Sequence, residues 1–305
     1  MRSIRYMALE TAVWLTGYKK LFRLDAQGLS SYIEKVKSRR KTTLPRYIEK
    51  QYLTRERTIS GRPCYTVSPL NGANSNKIVM LLHGGGMFME ANSLHWRVAS
   101  RLVNRLGVTV WLPAYPLVPG YTFEDITQML LAVYQKMLEE NPAKEISILG
   151  DSAGAVLSLM LCHHNKTFAQ PLPMPKKLIL VSPGMAVKDP KLLDEMIRIL
   201  PHDPLLSIEF MDAMASIMRL SADKNDYFSA PFEGDFTGFP DMYIFSGTYE
   251  IFYAQMRRFV ERMTAEGISI NFYSGERMMH IWPYMPIAPE SREALNLIFD
   301  IIQSK

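Results

Sequence analysis

Gly150-Asp151-Ser152-Ala153-Gly154 has the form G-x-S-x-G and sits between the apolar run Ile146 to Leu149 and a helical pattern from Ala153 to His163. A nucleophilic serine needs this order. At a sharp turn from strand to helix the hydroxyl projects clear of the chain, and only small neighbours such as Gly150 and Gly154 let the backbones approach. The helix beginning at Ala153 then aims its partial positive N-terminus at an anion developing on the substrate. The pentapeptide alone also arises by chance, so the flanking strand and helix carry the assignment of Ser152 as nucleophile. Earlier in the chain, the run Ile78 to Leu82 ends in His83-Gly84-Gly85-Gly86. Successive glycines leave backbone N–H groups unshielded, as an oxyanion hole requires; a flexible turn is the other use of such a run. With a nucleophilic serine in the same chain the first use fits better. His83 stands at the wrong end of its motif to reach that serine and is expected to hold the loop through hydrogen bonds.

Taken together, H-G-G-G followed by G-D-S-A-G resembles the hormone-sensitive-lipase-like family of α/β hydrolases. The resemblance runs from about Lys77 to the end of the chain, with the N-terminal segment similar only in being a helical cap. It implies an oxyanion hole made by the amides of Gly85, Gly86 and Ala153. It also implies a catalytic histidine after the last strand and a glycine-containing loop. Ser274 to Pro283 offers His280 there, the only histidine beyond His202. The other histidines have other expected places: His202 in a lid, His163 and His164 at the end of the helix after Ser152 where they can meet its dipole, and His95 packed or exposed.

The family pattern places the triad acid just beyond the preceding strand, commonly as aspartate. Here Met242 to Ser246 is followed by Gly247-Thr248-Tyr249-Glu250, so Glu250 is the first carboxylate available, and its separation from His280 resembles the family's. Either carboxylate can fix the imidazole tautomer and stabilise the imidazolium, although the longer glutamate requires a backbone shift. Asp241 precedes the strand, at the opposite end of the sheet, and is rejected. Asp226, on the loop before that strand, is the competing acid, and a plain helix N-terminal carboxylate is the non-catalytic alternative for Glu250. Two departures from the family pattern stand out. Ala155 occupies a place where the family often has a second glycine. Tyr115-Pro116-Leu117-Val118-Pro119-Gly120 stands where relatives often read Y-R-L-A-P-E, so the polar support of the missing arginine and glutamate must come from elsewhere.

The elements that must position these residues are legible as a pattern. From Lys77 onward short apolar runs (Ile78 to Leu82, Val108 to Leu112, Ile146 to Leu149, Leu178 to Ser182, Met242 to Ser246, Ser269 to Tyr273) alternate with helical stretches. This predicts an α/β fold with a mostly parallel, doubly wound sheet. Leu53 to Ile59 and Cys64 to Ser68 flank Ser60-Gly61 and read as an edge hairpin. The expected organisation is a helical cap segment over 1–46 and an α/β-hydrolase catalytic domain over 47–305. Within it, a helical lid insertion over about 187–220 is rich in methionine and leucine (Met196, Met211, Met214, Met218), residues that could wrap varied acyl chains or simply fill a core.

The 305 residues carry a net charge of +5, a pI near 9.0 and a mean hydropathy of −0.05, which excludes disorder and a multi-span membrane protein. The basic excess of Lys35 to Lys41 and Arg46 to Arg57 lacks aromatic interleaving and reads as a solvated face, with a polyanion or lipid-headgroup patch as the alternative, and no nucleic-acid partner is expected. Cys64 and Cys162 make neither a disulfide framework nor a zinc spacing, which suits a reducing, cytoplasmic setting. At the N-terminus Glu10 interrupts the apolar stretch, so neither a signal peptide nor stable membrane insertion is expected. A helix carrying Tyr6, Met7, Val13, Trp14 and Leu15 would cover a pocket or touch a membrane surface, with the pocket preferred.

The reaction expected is two-step hydrolysis of short to medium acyl esters, with a small-molecule ester as substrate and neither metal nor organic cofactor. An amidase or carbamate hydrolase would use the same machinery. A small-molecule binding protein that keeps the fold without turnover is the alternative from another class. Self-association is left open.

Overall fold

Ser60 and Gly61 adopt φ of 49° and 72°, the left-handed pair that lets two strands fold back on each other in a tight hairpin. Strands β1 (Leu53–Ile59) and β2 (Arg62–Ser68) accordingly pair antiparallel, Ile59 opposite Arg62. The computed structural model describes residues 2–37, 42–185, 189–220 and 230–304, with only the backbone of 37 and 218–220. Before the hairpin come α1 (Ile4–Leu15), a 3-10 turn (Tyr18–Arg23), α2 (Ala26–Lys37) and α3 (Arg46–Gln51). After it the chain alternates: β3 (Ile78–Leu82), α4 (Ser93–Leu106), β4 (Thr109–Pro113), α5 (Phe123–Glu140), β5 (Ile146–Asp151), α6 (Ala153–Lys166) and β6 (Lys177–Val181). Then follow α7 (Pro190–Ile199), α8 (Ile208–Leu220), β7 (Asp241–Gly247), α9 (Tyr253–Ala265), β8 (Ile270–Gly275) and α10 (Pro289–Gln303).

Among the described residues eight strands form one sheet in the order β1-β2-β4-β3-β5-β6-β7-β8. β2 meets β4 antiparallel and every later pair is parallel. The expected alternation is therefore present, with strand ends shifted by one or two residues. β3, β5 and β6 are buried along their whole length, as strands covered by helices on both faces must be. One core, containing Leu82, Ile148, Leu180 and Ile244, lies beneath α5, α6 and α9 and takes in Phe22, Leu29 and Ile33 of the N-terminal segment. The other, containing Val79, Leu149, Val181 and Phe245, lies beneath α4 and α10 and takes in Tyr6 of α1. The first fifty residues thus contribute to both faces of the sheet.

Parallel strands end together, so the loops after β3, β5, β7 and β8 converge at one edge. The approach there is close. A Cβ on Gly154 would lie 2.0 Å from the carbonyl oxygen of Leu82, and one on Gly150 would lie 2.5 Å from the backbone of Gly154. Backbone stands against backbone, so no side-chain movement can relieve either clash. Gly154→Ala is expected to cost at least about 3 kcal/mol or to prevent folding, measured by chemical denaturation. A loss below about 1 kcal/mol would mean that α6 and β3 can separate freely.

Candidate active site

Ser152 links β5 to α6 with φ 50° and ψ −118°, a conformation unusual for a residue with a side chain. Its N–H donates to the Val181 carbonyl at 2.8 Å, which ties the turn to β6. The hydroxyl is left facing the loop after β8. There His280 Nε2 lies 2.9 Å from Ser152 Oγ, and His280 Nδ1 lies 2.7 Å from Glu250 Oε2. Glu250 has none of its surface exposed, and its other oxygen accepts from the Gly247 N–H at 3.1 Å and from the Ser246 hydroxyl. The structure therefore brings Ser152, His280 and Glu250 into one hydrogen-bonded line. Because Glu250 can only accept, the Nδ1 proton belongs to the imidazole and Nε2 is free to receive the serine proton.

Burial by itself disfavours a charged His280, but the Glu250 hydrogen bond and charge, aided by Asp203 and Asp151, outweigh it and hold the imidazole pKa above its ordinary value. Both amides beside this ring are fixed. The Met279 N–H donates to the Tyr6 hydroxyl at 2.7 Å, and the Ile281 N–H to Ser182 Oγ at 2.9 Å. The turn carrying Glu250 is held in the same way: Ile251 N–H donates to Asp203 Oδ2 at 3.0 Å. Asp203 is fully buried, and its other oxygen accepts from the N–H groups of Leu205 and Leu206. Burial pushes its carboxyl pKa up.

The H-G-G-G loop lies against the serine turn. Gly84 N–H donates to Asp151 Oδ1 at 3.1 Å, and His95 Nε2 approaches the same oxygen at 3.4 Å. Gly85 and Gly86 take φ of 108° and 61°, open to glycine and strained for other residues. Among the described residues the N–H groups of Gly85, Gly86 and Ala153 make no hydrogen bond, and Gly86 and Ala153 line the same cavity as Ser152. His83 hydrogen-bonds the Gly84 carbonyl through Nδ1 at 2.8 Å, and burial drives its pKa down to about 3, so it stays neutral. The support expected from elsewhere for the Tyr115 loop is Arg62 on β2. Its guanidinium donates to the Ala114 and Tyr115 carbonyls, while the Tyr115 hydroxyl donates to the His83 carbonyl at 2.6 Å.

Other expectations are sorted by the same geometry. His163 is buried, donates to the Pro231 carbonyl and has its pKa lowered by burial to about 4. It is therefore uncharged near neutrality and does not serve the helix dipole as an imidazolium. His95 is buried and completes the capping box that starts α4, accepting from the Asn92 N–H at 3.0 Å. Asp226 and the start of the 187–220 stretch lie outside the described residues. Sequence reasoning did not single out Arg62, Ser182 and Asp203, and it read Tyr6 only as part of a covering helix. Only Asp203, followed by a proline and able to bond its own downstream amides, carries a local turn signal.

The cavity at Ser152 has a volume of about 40 Å³ and is walled by Met185, Phe210, Met211, Met214 and Phe252. α8 supplies three of those side chains. No residue of α1 lines it, so α1 does not cover this pocket. A wider cleft of about 680 Å³ runs along the outer edge of β8 and includes none of Ser152, Glu250 and His280. Among the described residues no group of three histidine, cysteine, aspartate or glutamate side chains could hold a metal ion.

An elbow serine, a buried carboxylate–imidazole pair and an eight-stranded sheet with this order define an α/β hydrolase. Residues 79–283 match the α/β-hydrolase-fold family, and the chain belongs to it. The resemblance read from H-G-G-G and G-D-S-A-G holds. An esterase of Acinetobacter venetianus is 30% identical over 76% of this chain and 76% of its own. An acetyl-hydrolase of Streptomyces hygroscopicus is 25% identical over 72% of this chain and 73% of its own. A solved hormone-sensitive-lipase homologue from a metagenome library shares the fold, with a TM-score of 0.78, 20% identity and coverage of 99% of this chain and 98% of that one.

Tyr6→Phe removes the acceptor for the amide next to His280 without emptying the site. It is expected to destabilise the protein by about 1–3 kcal/mol and to lower kcat on a soluble ester while KM stays nearly constant. An unchanged kcat in a folded variant would show that the histidine loop holds itself.

Proposed function

We propose that the protein is a serine carboxylester hydrolase acting on short to medium acyl esters through Ser152, His280 and Glu250. The observation that carries this reading is the unbroken line from Glu250 to His280 to Ser152, which ends at a cavity also lined by Gly86 and Ala153. His280 Nε2 takes the serine proton as Oγ bonds the ester carbonyl carbon, and the carbonyl oxygen becomes an anion received by the N–H groups of Gly85, Gly86 and Ala153. Collapse of that intermediate breaks the bond to the alcohol, which leaves with the proton held on Nε2. Water then repeats the sequence on the acyl-serine: Nε2 removes its proton, the acid leaves, and Ser152 regains its hydrogen. Glu250 keeps the imidazole in the working tautomer and stabilises it while it is positively charged.

The acyl side of the substrate faces the small cavity beneath α8. As it stands that cavity suits a short chain, and the flexible side chains of Met211 and Met214 give a medium chain room to enter. The activities for which the Acinetobacter and Streptomyces relatives are named, esterase and acetyl-hydrolase, support the same choice.

A panel of 4-nitrophenyl esters and amides of graded acyl length is the direct test. Ser152→Ala should lose ester turnover by on the order of 10⁴-fold while remaining folded; retention of a tenth of the wild-type rate removes Ser152 from the role.

The pH dependence tests the acid. A base acts only when neutral, so a raised His280 pKa places the acidic limb of wild-type kcat/KM above histidine's ordinary value. Activity then rises as pH climbs through that pKa. In Glu250→Gln burial is no longer outweighed, and the limb should move to lower pH while kcat falls by roughly 10³ to 10⁴-fold. A wild-type rate and limb in Glu250→Gln, with a folded but inactive Asp226→Asn, would transfer the role to Asp226.

A further inference from the structure

α1 is an unusual surface helix, because the face it turns to solvent carries almost no charge. Tyr6 is buried and Leu9, Glu10 and Val13 are partly so, facing the molecule. The opposite side presents Ile4, Met7, Ala8, Thr11, Ala12, Trp14 and Leu15, all exposed. Ile4 and Leu15 are 80% and 83% exposed, and Met7 and Trp14 each 42%. These four and Tyr18 make five of the twelve large apolar side chains left exposed among the described residues, so the exposure is a patch and not a scatter. An ordinary surface helix is polar on its outer side.

The exposed charges on α1 and on the 3-10 turn after it are all basic, although Glu209 lies near Arg23 and Glu290 accepts from the Ser3 hydroxyl at the start of α1. Arg5, Lys20 and Arg23 are exposed and have no ion-pair partner among the described residues. The one acid between residues 4 and 23 is Glu10, which is partly buried and paired with Arg2 at 2.7 Å. An apolar strip with a basic rim and with Trp14 and Tyr18 along it has the composition of a helix that lies in a lipid–water interface. No helix of the described residues is long and apolar enough to cross a membrane.

We infer that α1 docks the protein, lying flat, on the surface of an anionic phospholipid bilayer. Ile4, Met7, Trp14 and Leu15 enter the acyl boundary, and Arg5, Lys20 and Arg23 meet the lipid phosphates. A second copy of the chain is the less suitable occupant, since pairing this face with itself brings two basic rims together. The docking does not depend on the hydrolase reading, because the exposed residues of α1 touch neither Ser152 nor its cavity.

The test uses the full chain with vesicles of phosphatidylcholine alone and of phosphatidylcholine mixed with phosphatidylglycerol. Trp96, Trp111 and Trp282 are at most 4% exposed, so a change in tryptophan emission reports Trp14. The wild type should sediment with the mixed vesicles, shift its emission to the blue, and bind roughly tenfold more weakly to neutral vesicles or in high salt. The double variant Ile4→Ser with Leu15→Ser should bind on the order of a hundredfold more weakly yet keep the wild-type circular dichroism and the wild-type rate on a water-soluble ester. Absence of vesicle binding by the wild type, or equal binding by the double variant, overturns the proposal. So does a wild-type dimer in sedimentation equilibrium that the double variant converts to monomer, which would make the face a contact between copies.

Discussion

A carboxylate taken out of water must be surrounded by donors, because an unpaired buried charge costs several kcal/mol. Glu250 has no exposed surface, and the catalytic edge is arranged around that requirement. The Ser246 hydroxyl and the Gly247 amide satisfy one oxygen, both from the end of β7 and the turn that follows it. The other oxygen is left for a donor from outside the turn, and the Nδ1–H of His280 supplies it. A ring held at Nδ1 has its opposite nitrogen aimed in one direction, and that direction is Ser152. The orientation of the imidazole is thus set by the cost of leaving a charge unpaired.

Burying the pair demands cover, and the cover comes from parts of the chain far apart in sequence. Tyr6 reaches the loop of His280 from α1, Ser182 reaches it from the end of β6, and Asp203 reaches the turn of Glu250 from the segment between α7 and α8. Lys19, in the 3-10 turn after α1, in turn donates to the Leu200 and Asp203 carbonyls. The N-terminal segment is therefore joined to both sides of the histidine–glutamate pair, and it also supplies side chains to both cores.

Much of this was legible in the sequence because the relevant signals are local. A strand followed by a glycine-flanked serine and a helix needs only consecutive residues to be recognised, and the alternation of short apolar runs with helical periods gave the sheet. The family resemblance singled out Glu250 and His280, because its pattern places an acid and a histidine after successive strands at the same edge. The bonding roles of Tyr6, Arg62, Ser182 and Asp203 escaped because their partners are distant. A tyrosine on an apolar helix face has the same sequence signature whether its hydroxyl meets water or the amide of residue 279. The burial of His163, which holds its imidazole neutral, is likewise something residue order does not reveal.

The anchorage of Asp203 bears on how substrate enters. A swinging cover needs a boundary crossed by few bonds, so that a hinge can turn without cost. The segment around Asp203 has the reverse: a carboxylate bonded to the residue after Glu250, two carbonyls bonded to Lys19, and Ser207 bonded to the Phe22 carbonyl. Lifting it would pull on the acid's own turn, and the machinery would come apart as the mouth widened. These bonds tie the stretch to the turn of Glu250 and to the N-terminal segment, and the Met211, Met214 and Phe210 side chains at the cavity wall can change rotamer without breaking any of them.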